Sequence, residues 1–227
     1  YFKQVVPGDV PSVEMQGKTF PVEEYRLEDA IEACGYVCEP NSEFSISGQQ
    51  ARQKSSSGPG NRKSRQTALA DAAGSFIDES MITDETRKYY SEYDESTMRQ
   101  LQIVEENCVN LDLIERLVTH IAEDYEEGAI LVFLPGMGEI KALHDRLRMS
   151  VYENERSYNR NNNEDEESEK KLKPQYLLVP LHSTLTAEEQ KRAFSKPASG
   201  VRKVVMSTNI AETSITIDDC VFVIDAG

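Results

Sequence analysis

Apolar positions recur along this chain with two different periods, and each change of period marks the border of an element. Leu111, Ile114, Leu117, Val118 and Ile121 are spaced three or four apart, which places them on one face of a helix. Asn110 stands where an N-cap belongs, and Gly128 stands where the helix is expected to end. Ala129–Leu134 follows as A-I-L-V-F-L, a continuous apolar run of strand length. Such a run suits a strand buried on both faces of a parallel sheet. Pro135-Gly136 turns the chain, and Met137–Met149 reads as a second helix. Tyr176–Leu181, Lys203–Ser207 and Val221–Asp225 read as further strands, and Thr186-Ala-Glu-Glu189 fits a capping box opening a helix through Phe194. The alternation of helices with short apolar strands predicts an α/β fold, a three-layer sandwich around a parallel sheet.

The periodicity fails in two places. Residues 41–100 do not read as core, and within them Gln49–Gln66 is rich in Ser, Gly and Gln, with Arg52, Lys54, Arg62, Lys63 and Arg65 as its only charges. This composition is that of a flexible insertion, better read as a solvated linker than as an RNA contact. Residues 153–173 are polar, acidic and low in complexity, a second expected disordered insertion. Ahead of both, Pro7, Pro11 and Pro21 exclude a long early helix, leaving extended segments and one short helix before residue 40.

Charge changes the picture of what the fold could bind. The 227 residues carry a formal net charge of −15. A chain this acidic does not attract phosphate backbones through bulk charge, so any nucleic-acid contact must be local. No apolar run is long enough to span a bilayer, so no membrane partner is expected. The start at Tyr1 has no initiator Met and no signal-peptide pattern, and the chain reads as excised from a longer one. Cys34 and Cys38 have no second Cys pair and no His nearby, so a zinc site is not expected. With Cys108 and Cys220 they read as reduced thiols of a cytosolic or nuclear protein.

Ligands of open α/β sheets gather at the carboxyl ends of the strands. Three of these ends carry small or hydroxyl residues: Leu134-Pro-Gly-Met-Gly138, Leu181-His-Ser-Thr184 and Ser207-Thr-Asn-Ile-Ala-Glu-Thr-Ser-Ile-Thr216. Small residues let a phosphate approach the backbone, and hydroxyls and free N–H groups can bond to it without positive charge. Gly17-Lys18-Thr19 imitates a phosphate-binding loop, but Ser12 stands at the position of its first Gly and Phe20-Pro21 follows where a helix should begin. No D-E-x-H or D-E-x-D occurs. Gly136-Met137-Gly138 admits a dinucleotide-binding reading, weakened because Lys141 replaces the third Gly.

Ser207–Thr216 resembles motif V of the DEAH-box (DEAH/RHA) helicases of superfamily 2. Ile130–Ile140, I-L-V-F-L-P-G-M-G-E-I, resembles their motif IV, and Leu181–Phe194 resembles their motif IVa. Gly17–Asp29 resembles the stretch that joins their two lobes. The resemblance covers residues 1–40 and about 101–227. It implies most of the second RecA-like lobe of an ATP-dependent RNA helicase, with 1–40 as the end of the first lobe and the connection. On this resemblance Gly136, Ser183, Thr208 and Asn209 lie against the phosphates of single-stranded RNA. Ser214 lies in the loop that responds to the nucleotide, and Thr216 and Asp218 face it. Glu212 and His182 brace loops, and His120 and His144 are structural or solvated. ATP and Mg²⁺ are the implied cofactors, held mainly by the first lobe, and the chain itself carries no catalytic or metal-ligating residue. The chain stops before the family's Q-R-x-G-R-x-G-R motif, so on its own it is expected to be inactive. A ribosome or another ribonucleoprotein is the implied partner, and the cytoplasm or nucleus the implied location. Two alternatives stay open: a non-catalytic helicase-like interaction module, and a motor that acts on DNA.

Overall fold

A computed structural model describes residues 20–56, 83–161, 175–182, 192–209 and 217–226. Its centre is a parallel sheet of four strands: β1 (Ala129–Phe133), β2 (Gln175–Leu181), β3 (Val201–Ser207) and β4 (Cys220–Asp225). Their order across the sheet is β2-β3-β1-β4, and every neighbouring pair is parallel. The expected α/β architecture is therefore present. The four strands match the sequence reading to within two residues at their ends, because continuous apolar runs have few other ways to be buried.

The helices are α1 (Leu27–Cys34), α2 (Ile46–Ser56), α3 (Asp84–Tyr89), α4 (Glu95–Ile103), α5 (Leu111–Asp124) and α6 (Met137–Asn161), with a 3-10 turn at Arg192–Phe194. On one face of the sheet Ile130, Val132, Val204, Met206 and Ile224 pack into a core with Val118 and Ile121 of α5 and Ile140, Leu143 and Leu147 of α6. On the other face Leu131, Val205, Val179 and Leu181 pack against Ala193 of the 3-10 turn. This second face is the thinner one among the described residues.

Asn110 caps α5 as expected, its side-chain oxygen accepting from the Leu113 N–H at 3.0 Å. Gly128 does not end that helix, which stops at Asp124. Its role is close approach: a Cβ there would lie 2.5 Å from Cγ2 of Val221 on β4. The end of α5 and the loop after it are held from β3. Arg202 of β3, 8% exposed, donates to the carbonyls of Ile121, Tyr125, Glu126 and Gly128 at 2.7–3.2 Å. Ile121 lies in the last turn of α5 and Tyr125, Glu126 and Gly128 follow it, so one guanidinium ties the helix end and the loop to β1 together.

Two expectations need correction. Residues 41–100 do contribute to the core at both of their ends: Phe44, Thr97 and Met98 are buried, and Phe44 joins the main cluster. A bridge between Ser45 and Val104, with the Glu105 N–H bonding the Phe44 carbonyl at 2.9 Å, closes the root of this insertion. Gln100 of α4 accepts from the Cys38 N–H in the loop after α1 at 2.7 Å, and the Tyr93 hydroxyl, just before α4, donates to Asp29 of α1 at 2.8 Å. That bond pushes the Tyr93 phenol up to about 12. Arg146 of α6 lies over the Phe44 ring and pairs with Asp112, Glu43 and Glu115. The second correction concerns α6, which continues to Asn161, into the acidic stretch expected to be disordered from residue 153. Residues 150–161 contain neither Gly nor Pro, and extending an established helix is much easier than starting one. The Ser/Gly-rich residues 57–82 lie outside the described residues, as do 1–19, 162–174, 183–191 and 210–216.

Arg202→Met should destabilise the chain by about 2 kcal/mol or more, since four carbonyls, one of them buried, lose a charged donor at once. The check is urea unfolding followed by circular dichroism, with the midpoint falling and the slope unchanged.

Candidate nucleic-acid interface

The four strands end level with one another. Leu181 of β2 pairs with Ser207 of β3, Ser207 pairs with Phe133 of β1, and Phe133 pairs with Asp225 of β4. The ladder then runs one step further, with the Leu134 N–H on the Ser207 carbonyl at 2.8 Å and the Ala226 N–H on the Phe133 carbonyl at 3.2 Å. Whatever follows each strand therefore emerges along a single straight edge. Pro135-Gly136 leaves from β1, His182 from β2 and Thr208-Asn209 from β3.

The edge is also a topological switch point. After β1 the chain passes into α6 on the main core face. After β3 it returns toward β4 through Ile217, which packs on the opposite face. In the order β2-β3-β1-β4 the chain runs from β1 to one side of the sheet and from β3 to the other, and ligands of open α/β sheets bind at such a reversal.

Each described residue of the edge has a local reason for its place. The Gly136 carbonyl accepts the first helical bond of α6, from the Ile140 N–H at 3.1 Å. The N–H groups of the following turn have no carbonyl ahead of them in the helix, and the helix dipole adds partial positive charge there. Glu139 folds back over this end, its Oε2 lying 3.1 Å from where a Cβ on Gly136 would be. Ser207 is fully buried and its hydroxyl donates to the Thr208 carbonyl at 2.7 Å. That bond turns one carbonyl away from the edge and leaves Thr208 half-buried and Asn209 exposed.

The structure therefore gathers Gly136, Thr208 and Asn209, with His182 beside them, at one end of the sheet. Asp218 is not gathered with them: it is exposed in the turn that opens β4, whose first residue, Cys220, pairs with Ala129 at the start of β1. Ser183, Ser214, Thr216 and Glu212 lie outside the described residues. His120 pairs with Asp124 at 3.0 Å and packs edge-on against Tyr125, and His144 lies 3.3 Å from Asp145, both on helices away from the edge.

Sequence reasoning missed two residues that hold this edge in place. Arg202 and Lys203 are adjacent in β3, and both are buried. Lys203 donates to the carbonyls of Ala193 and Ser195 at 2.8 and 3.1 Å and to Asp219 at 2.6 Å. The available signal was two basic residues opening an apolar strand, with two acids at Asp218-Asp219.

Comparison with known proteins gives the family. Residues 112–227 match the helicase conserved C-terminal domain. The chain belongs to that family. It is 38% identical over 220 residues to human ATP-dependent DNA/RNA helicase DHX36, covering 97% of this chain and 19% of the relative. Human DHX57 is 36% identical over 232 residues, covering 96% of this chain and 16% of its own length. The ATP-dependent RNA helicase dhx29 of Xenopus laevis is 36% identical over 225 residues, covering 96% of this chain and 15% of its own. The chain thus spans less than a fifth of these relatives and corresponds to a C-terminal helicase lobe of the DExH-box kind.

Among the described residues no group of three or more His, Cys, Asp and Glu side chains could hold a metal ion. The described edge thus offers no carboxylate cluster of the kind that holds Mg²⁺.

Gly136→Ala separates fold from function. The new methyl group meets only the far end of the Glu139 side chain, so stability should fall by no more than about 1 kcal/mol, the cost of Ala at a helix N-cap. The same methyl group obstructs approach to the start of α6, so affinity for a single-stranded RNA should fall. Urea unfolding together with fluorescence anisotropy on a labelled oligonucleotide reads both.

Proposed function

We propose that this chain is the RNA-gripping part of the second lobe of an ATP-dependent RNA helicase, which couples ATP hydrolysis to unwinding or to remodelling of ribonucleoprotein. The observation that carries the reading is the level row of strand ends that presents Gly136, Thr208 and Asn209 at a switch point. Membership of the helicase C-terminal family and the printed activities of the relatives support it. Hydroxyl, amide and backbone N–H groups position a sugar–phosphate chain and carry little sequence preference. Such an edge suits a motor that must hold any sequence and let it go. Ser183 belongs to the same grip, and Ser214, Thr216 and Asp218 report the state of the bound nucleotide. A reducing compartment, cytoplasm or nucleus, suits the four free thiols. A ribosome or another ribonucleoprotein is the partner this reading favours.

DNA is a second possible strand, favoured by the DNA/RNA activity in the name of DHX36. Contacts to phosphate alone discriminate poorly between the two.

The 227-residue chain should bind single-stranded RNA weakly and with salt sensitivity, and Thr208→Ala should weaken that binding several-fold, by the roughly 1 kcal/mol of one hydrogen bond. Anisotropy titrations with RNA and with DNA of the same sequence measure it, and unchanged affinity in the variant would refute the placement of Thr208. The chain alone should not hydrolyse ATP. A turnover above background that Thr216→Ala abolishes would overturn that expectation.

A further inference from the structure

The buried side of β3, facing away from α5 and α6, carries a full charge. The Lys203 side chain is 0% exposed and that of Asp219 is 24% exposed. An ammonium group has three N–H donors, and here all three are used: on the Ala193 carbonyl, the Ser195 carbonyl and the Asp219 carboxylate. A buried ammonium is tolerated only when it is paired and fully bonded, so these partners are held firmly.

The origin of the partners is what gives the cluster meaning. Ala193 and Ser195 belong to the last part of the connection from β2 to β3, which left the edge at His182. Asp219 belongs to the turn that closes the connection from β3 to β4, which left the edge at Thr208-Asn209. Lys203 itself lies on the strand between them, five residues before Thr208, a distance of about 16 Å along a strand. The Asp219 carbonyl also accepts the Ala129 N–H at 2.8 Å, which fixes the same turn to the start of β1. One ammonium therefore joins the return legs of both edge connections to the strand that carries Thr208.

We infer that Lys203 and Asp219 form a positioning pair that couples the two edge connections, so that a shift of the turn at Ile217–Asp219 reaches the RNA-facing end of β3. The pair touches neither RNA nor nucleotide. Of the three bonds on Lys203, the one to Asp219 is the only charge pair. This inference rests on the helicase reading above.

The test uses the full-length helicase that contains this chain. Asp219→Asn keeps the size and an acceptor oxygen but removes the charge, so it perturbs the pair without emptying the site. ATP hydrolysis is measured with and without single-stranded RNA, along with KM for ATP, RNA affinity and Tm. The expected result is a loss of RNA-stimulated kcat of about fivefold to tenfold. Basal kcat and KM for ATP should stay within about twofold of wild type. Asp219→Glu, which restores the charge, should recover most of the stimulation. Full stimulation in Asp219→Asn would overturn the inference, and so would a parallel fall of basal rate, stimulated rate and Tm, which marks a structural role alone. A wild-type protein without any RNA-stimulated hydrolysis would instead overturn the helicase reading itself. Loss of stimulation in Thr208→Ala with full stimulation in Asp219→Asn would leave that reading standing and sink only the coupling.

Discussion

Strand β3 brings two full positive charges into the interior, on opposite faces of the sheet, at consecutive positions. An unpaired buried cation is among the most costly defects a fold can contain, so each charge dictates what must be built beside it. Arg202 draws the end of α5 and the loop to β1 onto one face. Lys203 draws the 3-10 turn and the turn before β4 onto the other. Because β3 is an inner strand, paired on both sides, these two anchors also fix where its end lies relative to β1 and β2. The level edge that presents Gly136, Thr208 and Asn209 depends on that fixing.

The strands and α5 were legible because their signals are local. A run of six apolar residues or a helical stripe behind an Asn cap can be recognised without knowing what it packs against. The root of the 41–100 insertion was illegible for the opposite reason. Phe44 and Met98 are single apolar anchors in polar surroundings, and what buries them lies far away in sequence. The bonds from Cys38 to Gln100 and from Tyr93 to Asp29 span 62 and 64 residues. A composition window over residues 41–100 averages these anchors with a Ser/Gly-rich stretch and reports the average.

The candidate edge divides in the same way. The places of Gly136, Thr208 and Asn209 at strand ends were readable from the apolar runs before them. Their assignment to RNA contact, like the nucleotide-facing role of Asp218, came from resemblance. The buried pair of basic residues was hidden by the ordinary rule that charge faces water. That rule fails when the interior supplies helix-end carbonyls and a carboxylate.

For an acidic chain to hold phosphate, as proposed here, the contact has to be local, and the geometry of the edge allows it. At physiological salt, charges more than about 8 Å apart are largely screened, so the net −15 counts little where it is distant from the ligand. What counts is the immediate surroundings of the strand ends. There the described donors are the amides at the start of α6 and the Thr208 and Asn209 side chains, and the nearby carboxylate of Glu139 opposes a phosphate. Affinity that arises from a few hydrogen bonds stays modest. A lobe that holds a strand modestly on its own, and firmly only when further contacts close around it, is one that can release and take hold again.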